Sequence, residues 1–280
     1  METARPEAPQ TGNQGMPLAD LLTTHLIVFT LVLARVAGLV MTAPLYSALA
    51  VPGHVRALIA FALAVLITPT QLDAAMPPAT LVGWLLAIGI DVLVGLALGL
   101  GTAILMAGAQ VAGQLMAQMS GLSLAEVFDP ALDAEVPVLS QLLGLFTLSV
   151  YLLIGGHRWL MAGLLDSFVA LPGGGGRLPD SLVDALLTLM TESFSLGLRC
   201  AAPLVIALLL ATLVLGLVGR TLPQLNVLSL GFGLNTMVAF GTLALSLGTI
   251  AWLFEDQLRP SLALLLDAAA AAGASGPHLR

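Results

Sequence analysis

The chain contains no lysine, a single cysteine and few charged residues of either sign. All nine basic residues are arginines, and 16 acidic residues bring the formal net charge to −7. Such a charge does not suit a nucleic-acid partner, because phosphate binding depends on basic patches. Cys200 cannot form a disulfide within the chain. No Cys/His cluster with metal-ligand spacing occurs, which excludes a structural zinc site.

The scarcity of charge is matched by an excess of apolar residues. Charged residues make up 9% of the chain and hydrophobic residues 58%, whereas a soluble domain is roughly 25% charged and about 45–50% apolar. The core of a soluble protein cannot absorb this excess, since its surface still needs polar cover. The composition therefore predicts a multi-span integral membrane protein, and we expect an all-α fold of kinked helices and helical hairpins.

Motifs of the common catalytic sites are also missing. The sequence has no GxSxG, HExxH or GxGxxG motif, and "GLGTAI" at 99–104 departs from the last of these at its final position. The glycine run at 173–176 is not followed by Lys-Ser/Thr, so it is not a phosphate-binding loop. We expect no catalytic residues, no cofactor, no metal and no enzymatic activity.

Apolar runs long enough to cross a membrane follow a polar tail at 1–20, which we expect to be disordered. The first run is longer than a removable signal and lacks a basic start, so we expect it to be retained. Three later runs exceed the roughly 20 residues that one span needs and contain helix breakers or charges, which predicts bent or split helices. These breakers and charges are Asp91, the pair His157-Arg158, and Arg199 with Pro203. The six segments are 21–45, 55–70, 81–119, 136–171, 183–218 and 227–254.

Several ionisable residues lie inside the apolar runs, where each is costly unless it is paired or hydrated. We expect each to mark an interior face or cavity, and Arg35 to meet a carboxylate, first of all Asp91, or carbonyl groups at a helix C-terminus. A proton-coupled transporter and a protein assembled against partner subunits would both use such groups. The residues are Arg35, Asp91, His157, Arg158, Asp166, Glu192, Arg199 and Arg220.

A pair of glycines in "GLALG" at 95–99 has the GxxxG spacing that lets helices approach closely. The glycine content alone predicts about three such pairs, so this one pair carries no weight by itself.

The stretch "LGLVGRTLPQLNVLSLGFG" at 215–233 places a polar centre between two apolar runs. Pro223 ends a helix, because it lacks an N–H group and disfavours helix at the preceding residue. Gln224 and Asn226 can bind the backbone groups that such a break exposes. With Arg220, these residues are typical of a polar turn that faces water or a partner.

Four stretches in order along the chain resemble the FliR/SpaR family of type III export-gate proteins. They are "RVAGLVMTAPLYS" with "VPGHVR" (35–56), "GQLMAQMSGLSLAEVFDP" (113–130), "GGHRWLMAGLLDSFVALP" (155–172) and "GRTLPQLNVLSLGFG" (219–233). The resemblance extends over about residues 21–255. The sequence departs from the family pattern at Gly233, where proline is usual, and at Leu124 and Val127, where phenylalanine is common. Gln118-Met119 also lies one residue out of register.

The resemblance implies a core subunit of the flagellar protein-export gate in the bacterial inner (cytoplasmic) membrane, within the flagellar basal body. FliP-like and FliQ-like membrane subunits are the implied partners, with an FlhB-like export-gate protein as a further one, and unfolded export substrates pass through the channel. An injectisome export gate is an alternative of the same design. A proton-coupled small-molecule transporter is the alternative from another class.

The family's fold implies a division of the chain into four parts. Residues 1–20 form the polar tail, and 21–180 a FliP-like helical part. Residues 181–256 form a FliQ-like hairpin with its tip near 219–227, at Arg220, Pro223, Gln224 and Asn226. Residues 257–280 form an amphipathic or flexible C-terminal tail.

A pore plug near 121–130 is the last implication of the resemblance. A secretion pore needs an apolar, movable constriction, which can close by dewetting. The alternative is an ordinary helix end whose apolar residues pack in a core. Met116 and Met119 are candidates to supply bulk that the smaller side chains lack. The candidate plug residues are Gly121, Leu122, Leu124, Val127 and Phe128.

Overall fold

A computed structural model describes residues 18–47, 51–72, 74–75, 78, 80–121, 137–174, 180–221 and 227–274. All regular structure in these ranges is helical, which confirms the predicted all-α class. The helices are α1 (Leu18–Thr42), α2 (Pro44–Ser47), α3 (Gly53–Gln71), α4 (Leu81–Ser120), α5 (Val138–Leu153), α6 (Gly156–Ala170), α7 (Asp180–Thr221) and α8 (Val227–Ala274).

Helices of membrane-spanning length correspond to the six predicted segments. Within the described ranges, α1, α3, α4, α7 and α8 are each long and apolar enough to cross a membrane. The remaining segment, 136–171, is split into α5 and α6, which meet at an angle of 67° and together make a broken span. The count of six spans and the expectation of a split helix are therefore both consistent with the structure.

The bend between α5 and α6 has a local cause in two glycines. Gly155 lies between the helices with φ of 77°, a left-handed conformation that glycine adopts without strain. Gly156 begins α6 directly against the ring of Tyr151, and a side chain at this position would overlap that ring. The bend between α5 and α6 thus follows from the pair Gly155-Gly156 and from Tyr151, five positions before Gly156.

Two other long segments, where breaks were expected, run without interruption. Helix α4 continues through Asp91 for 40 residues, from a cap at Thr80, whose hydroxyl accepts a hydrogen bond from the Gly83 N–H at 3.1 Å, to Gly121, which has φ of 78°. Helix α7 continues through Pro203 for 42 residues. The expected break at Asp91 is absent because its charge is paired inside the protein, as described below.

Two hydrophobic cores share helix α4. Val94 and Leu98 of α4 pack in a core with α1, α3 and α6. Leu105 and Met116 of the same helix pack in a second core with α5, α7 and α8. Helix α4 therefore joins the part predicted to be FliP-like to the part predicted to be a hairpin, and the two are not separated by a gap in packing.

Helices α7 and α8 lie side by side and run antiparallel. Ser181, near the start of α7, donates a hydrogen bond to the carbonyl oxygen of Ala268 at 2.9 Å. Further along α7, Glu192 accepts one from Gln257, which lies earlier in α8. Because the paired positions move in opposite directions, the two helices form an antiparallel pair, and 222–226 between them lie outside the described residues.

Residues from 257, predicted to form an amphipathic or flexible C-terminal tail, continue α8. The helix extends to Ala274, and Leu258, Leu262 and Leu265 are buried along one face. Their spacing of four and then three residues keeps them on the side that packs against neighbouring helices. This one-sided burial fits the amphipathic form of the predicted tail, and the domain boundary at 256 stays a prediction. Pro260 lies inside α8 and does not end it.

Candidate functional site

A buried ion pair joins three helices in the first core. The Arg35 Nε of α1 donates to Oδ1 of Asp91 in α4 at 2.9 Å, and Nη2 donates to the same oxygen. The guanidinium also donates to the carbonyl oxygens of Ser167 and Leu171, both at 2.8 Å, at the end of α6. The Phe168 ring lies 4.2 Å from Arg35 Cζ.

This arrangement contains both kinds of partner predicted for Arg35. The carboxylate of Asp91 supplies the opposite charge, and the carbonyls at the C-terminal end of α6 supply further acceptors, where a helix favours a cation. The Arg35 and Asp91 side chains are 0% and 2% exposed. A charged pair in such a place is stable only with its hydrogen bonds satisfied, so the position of α1 depends on α4 and α6 together.

Glycines bring α1 and α4 into backbone contact around this ion pair. A methyl group added at Gly95 would overlap the carbonyl oxygen of Arg35, and one at Gly99 would overlap the hydroxyl of Thr42. A methyl group at Gly38 of α1 would overlap the carbonyl of Val92. The conclusion that "GLALG" carries no weight, drawn from the expected number of glycine pairs, was therefore wrong. The signal that could have been used is its place in the segment of Asp91, the predicted partner of Arg35.

A second polar group connects α7 to α8. Glu192 Oε2 accepts hydrogen bonds from Gln257 Nε2 at 2.9 Å and from Ser261 Oγ at 3.2 Å. Both donors are neutral, so the carboxylate is held across the hairpin without a counter-ion. Over the described ranges, no group of three or more His, Cys, Asp or Glu side chains has the geometry to hold a metal ion.

The other ionisable residues inside the apolar runs do not lie in the interior of the chain. Arg158, Asp166, Arg199 and Arg220 are exposed, and His157 is half-buried. The expectation of an interior face was wrong for the four exposed residues within this chain. Their surroundings must be water or another protein, because lipid would not stabilise their charge.

The candidate plug lies mostly beyond the described residues. Gly121 ends α4, and the plug candidates Leu122, Leu124, Val127 and Phe128 fall within 122–136, outside the described part. The two methionines differ in their surroundings. Met116 is fully buried in the second core, and Met119 is 39% exposed. Of these two, only Met119 is accessible from outside the chain.

The candidate hairpin tip is partly described. Arg220 lies exposed in the last turn of α7, while Pro223, Gln224 and Asn226 lie outside the described residues. Beyond the tip, the start of α8 carries an open apolar groove of about 430 Å³. Its lining residues are Leu230, Gly233, Leu234 and Met237.

These features define a class of protein: an all-helical membrane protein of five or six spans, with a buried ion pair and long exposed apolar helices. Residues 26–260 match the family model described as bacterial export proteins, family 1. The chain belongs to this family, as the resemblance predicted.

Curated relatives carry the name flagellar biosynthetic protein FliR. The relative in Escherichia coli (strain K12) is 33% identical over 235 residues, which cover 84% of this chain and 90% of the relative. That of Aquifex aeolicus (strain VF5) is 31% identical over 82% of this chain and 90% of the relative. That of Caulobacter vibrioides is 28% identical over 84% of this chain and 94% of the relative.

Proposed function

We propose that this chain is a non-catalytic core subunit of the flagellar type III protein-export gate. The observation that carries the proposal is the family match over residues 26–260, together with similarity over most of the chain to proteins named for flagellar biosynthesis. In this proposal the chain assembles in the bacterial inner membrane, at the flagellar basal body. Its partners are FliP-like and FliQ-like subunits, with an FlhB-like protein as a further component.

The exposed apolar surface supports a role within a larger assembly. The apolar part of α4 is 40 residues long and that of α7 is 41 residues long, which corresponds to about 60 Å of helix in each case. A bilayer core is about 30 Å thick. Lipid therefore covers only part of this surface, and neighbouring subunits would cover the remainder.

The plug fits the same role. In the proposal, the apolar residues of 121–130 close the channel by excluding water and ions, and they move aside for an unfolded substrate. Met119, exposed at the end of α4, would add apolar bulk beside them. The tip at 219–227 would face water or the tip of a partner subunit.

The transporter alternative has less support from the ionisable residues. A proton-coupled transporter needs titratable groups along a hydrated path, whereas Arg35 and Asp91 are buried against each other. The injectisome alternative predicts the same architecture, so the two systems are distinguished by which proteins the cell exports through the gate. The named relatives favour the flagellar system.

Deleting the gene in the source bacterium tests the proposal. We expect the deletion strain to lose flagellar filaments and the filament protein in the medium, while general secretion continues. A plasmid carrying the wild-type gene should restore both. Normal filament export in the deletion strain would contradict the flagellar assignment, and a selective loss of injected effectors would indicate the injectisome instead.

A further inference from the structure

Among the described residues, Arg199 is a cation without a partner near the middle of the longest apolar helix, α7. It lies 18 residues after Ser181 and 22 before Thr221, the ends of the apolar part of α7. Its side chain is exposed, and the described residues offer it no ion pair or hydrogen bond. Leu198, next to Arg199 in sequence, and Ile206, two turns further along the same face, are each more than half exposed. The guanidinium therefore has exposed apolar side chains beside it.

The backbone carbonyl oxygen of Arg199 is a second polar group in the same turn of helix. Pro203 is inside α7 and exposed, four residues after Arg199. Proline has no backbone N–H, so the carbonyl oxygen of Arg199 lacks the hydrogen bond that a regular helix would supply. The same turn of helix thus presents a charged donor and a free acceptor.

The described residues show no counter-ion for Arg199. Glu192 precedes Arg199 by seven residues, which is about 10 Å along the helix axis. Its carboxylate is already held by Gln257 and Ser261 of α8. Glu255 is likewise engaged, since it pairs with Arg259 within α8.

Lipid cannot cover the whole face on which Arg199 lies. The apolar part of α7 is 41 residues, or about 62 Å of helix. Even at the 40° upper end of observed tilts it extends about 47 Å along the membrane normal, against a core of about 30 Å. Lipid therefore leaves part of this helix uncovered, and Arg199, near its midpoint, is a charge that lipid would not stabilise, so protein cover is required there.

We propose that the face of α7 around Arg199 docks an apolar helix of another export-apparatus subunit, whose Asp or Glu side chain pairs with the guanidinium. Charge complementarity selects this partner, because an apolar helix fits the surrounding leucines and a carboxylate neutralises the arginine. A hydroxyl or amide on the same helix would bind the free carbonyl of Arg199. The proposal rests on the assembly role proposed above and adds the residue at which one contact is made.

Charge reversal tests the pairing. The full-length chain, tagged and co-expressed with the other membrane components of its operon, is purified as wild type, Arg199→Glu, Arg199→Lys and Arg158→Glu. We expect Arg199→Glu to retain about tenfold less partner subunit or lower, because it opposes like charges. The lysine variant should retain most of it. Arg158→Glu, at an exposed arginine of α6, is the matched control and should behave as wild type.

Restoration identifies the partner residue. Changing the mid-helix Asp or Glu of the captured subunit to Arg should recover the assembly with Arg199→Glu. If Arg199→Glu assembles like wild type while wild type captures partners, the docking proposal is wrong and the proposed function stands. If wild type captures no export component at all, the proposed function itself fails.

A cross-link that leaves Arg199 in place covers the case in which the variant does not fold. A photoreactive phenylalanine analogue replaces Leu198, and the cross-linked peptides are identified by mass spectrometry. We expect adducts to an apolar helix of another subunit within about one turn of an Asp or Glu. Adducts to lipid alone, or to a second copy of this chain, would overturn the proposal.

Discussion

Two arginines of this chain make ion pairs of different consequence. Arg35 is buried, bonded to Asp91 and to two backbone carbonyls, and it fixes α1 against α4 and α6. Arg259 pairs with Glu255 on the surface, where both side chains are largely exposed. Removing one partner of a buried pair leaves an uncompensated charge inside the protein, whereas exposed pairs contribute little.

Arg35→Ala is expected to lower the free energy of unfolding by about 3–5 kcal/mol, because Asp91 is left without its counter-ion. Arg35→Lys should retain part of the stability and more of the assembly, since it keeps the charge but loses the several hydrogen bonds. Thermal unfolding in detergent and the yield of assembled complex measure the two effects. Arg259→Ala, the control, should cost about 0–1 kcal/mol. Equal losses for Arg35→Ala and Arg259→Ala would contradict the role of the buried pair.

The sequence could predict this pair because each member is a charge inside an apolar run, and such charges require partners. For the other acceptors, the sequence predicted the kind of group, carbonyls at a helix C-terminus, but not that Ser167 and Leu171 would supply them. Their position depends on the end of α6, and the direction of α6 depends on the bend at Gly155. A bend angle is a property of packed helices that the local sequence does not fix.

At the level of helices, α4 owes its central place to glycines on the faces that contact other helices. Gly95 and Gly99 lie against α1, and Gly108 lies against Ser193 of α7. Small residues allow such close approach of helices in membrane proteins. Composition could not distinguish them from a glycine such as Gly89, where an added methyl group would meet no neighbouring side chain or helix within 4 Å.

Gly95→Ala should separate α1 from α4 and destabilise the protein by about 1–3 kcal/mol, as overpacking does. Gly89→Ala, in the same helix, should be neutral or stabilising by up to about 1 kcal/mol, because alanine favours helix over glycine. The midpoint of thermal unfolding in detergent compares the two. Similar midpoints for both variants would show that the contact of α1 with α4 tolerates a side chain.

The positions of the helix ends could be predicted from the sequence only in part. The six apolar segments and a bent or split helix in 136–171 were predictable from hydropathy and from the charges inside that run. The extension of α8 to Ala274 was not predicted as such, since 257–280 were expected to form an amphipathic or flexible tail, and "FEDQLRP" at 254–260 contains a proline. Leu258, Leu262 and Leu265 continue the buried face, and packing against neighbouring helices outweighs the local signal.

For the whole molecule, the two cores account for less of the apolar surface than a self-sufficient protein would bury. About 17% of the most apolar window of α7 and 28% of that of α8 are buried within the chain. Large side chains along both helices remain exposed, among them Met237, Leu245 and Trp252. Such a surface fits a subunit that is completed by lipid and by partners.

Deletion of 122–128 should raise the leakage of ions across the membrane while the assembled complex persists, because the apolar constriction is lost. Ion flux into cells or vesicles carrying the complex measures the leak, and co-purification measures assembly. Asp133→Asn with Glu135→Gln changes the same stretch outside the plug and should not leak. Loss of assembly without leakage would show that the segment is structural.

The mass of the tagged chain in its native assembly tests the central claim most directly. Purified in mild detergent after co-expression with its neighbouring membrane proteins, the chain should be found by native mass spectrometry in one complex with two other kinds of membrane subunit. Expressed alone, it should aggregate or be degraded, because its exposed apolar faces lack partners. A stable, monodisperse monomer or homo-oligomer under both conditions would contradict the account.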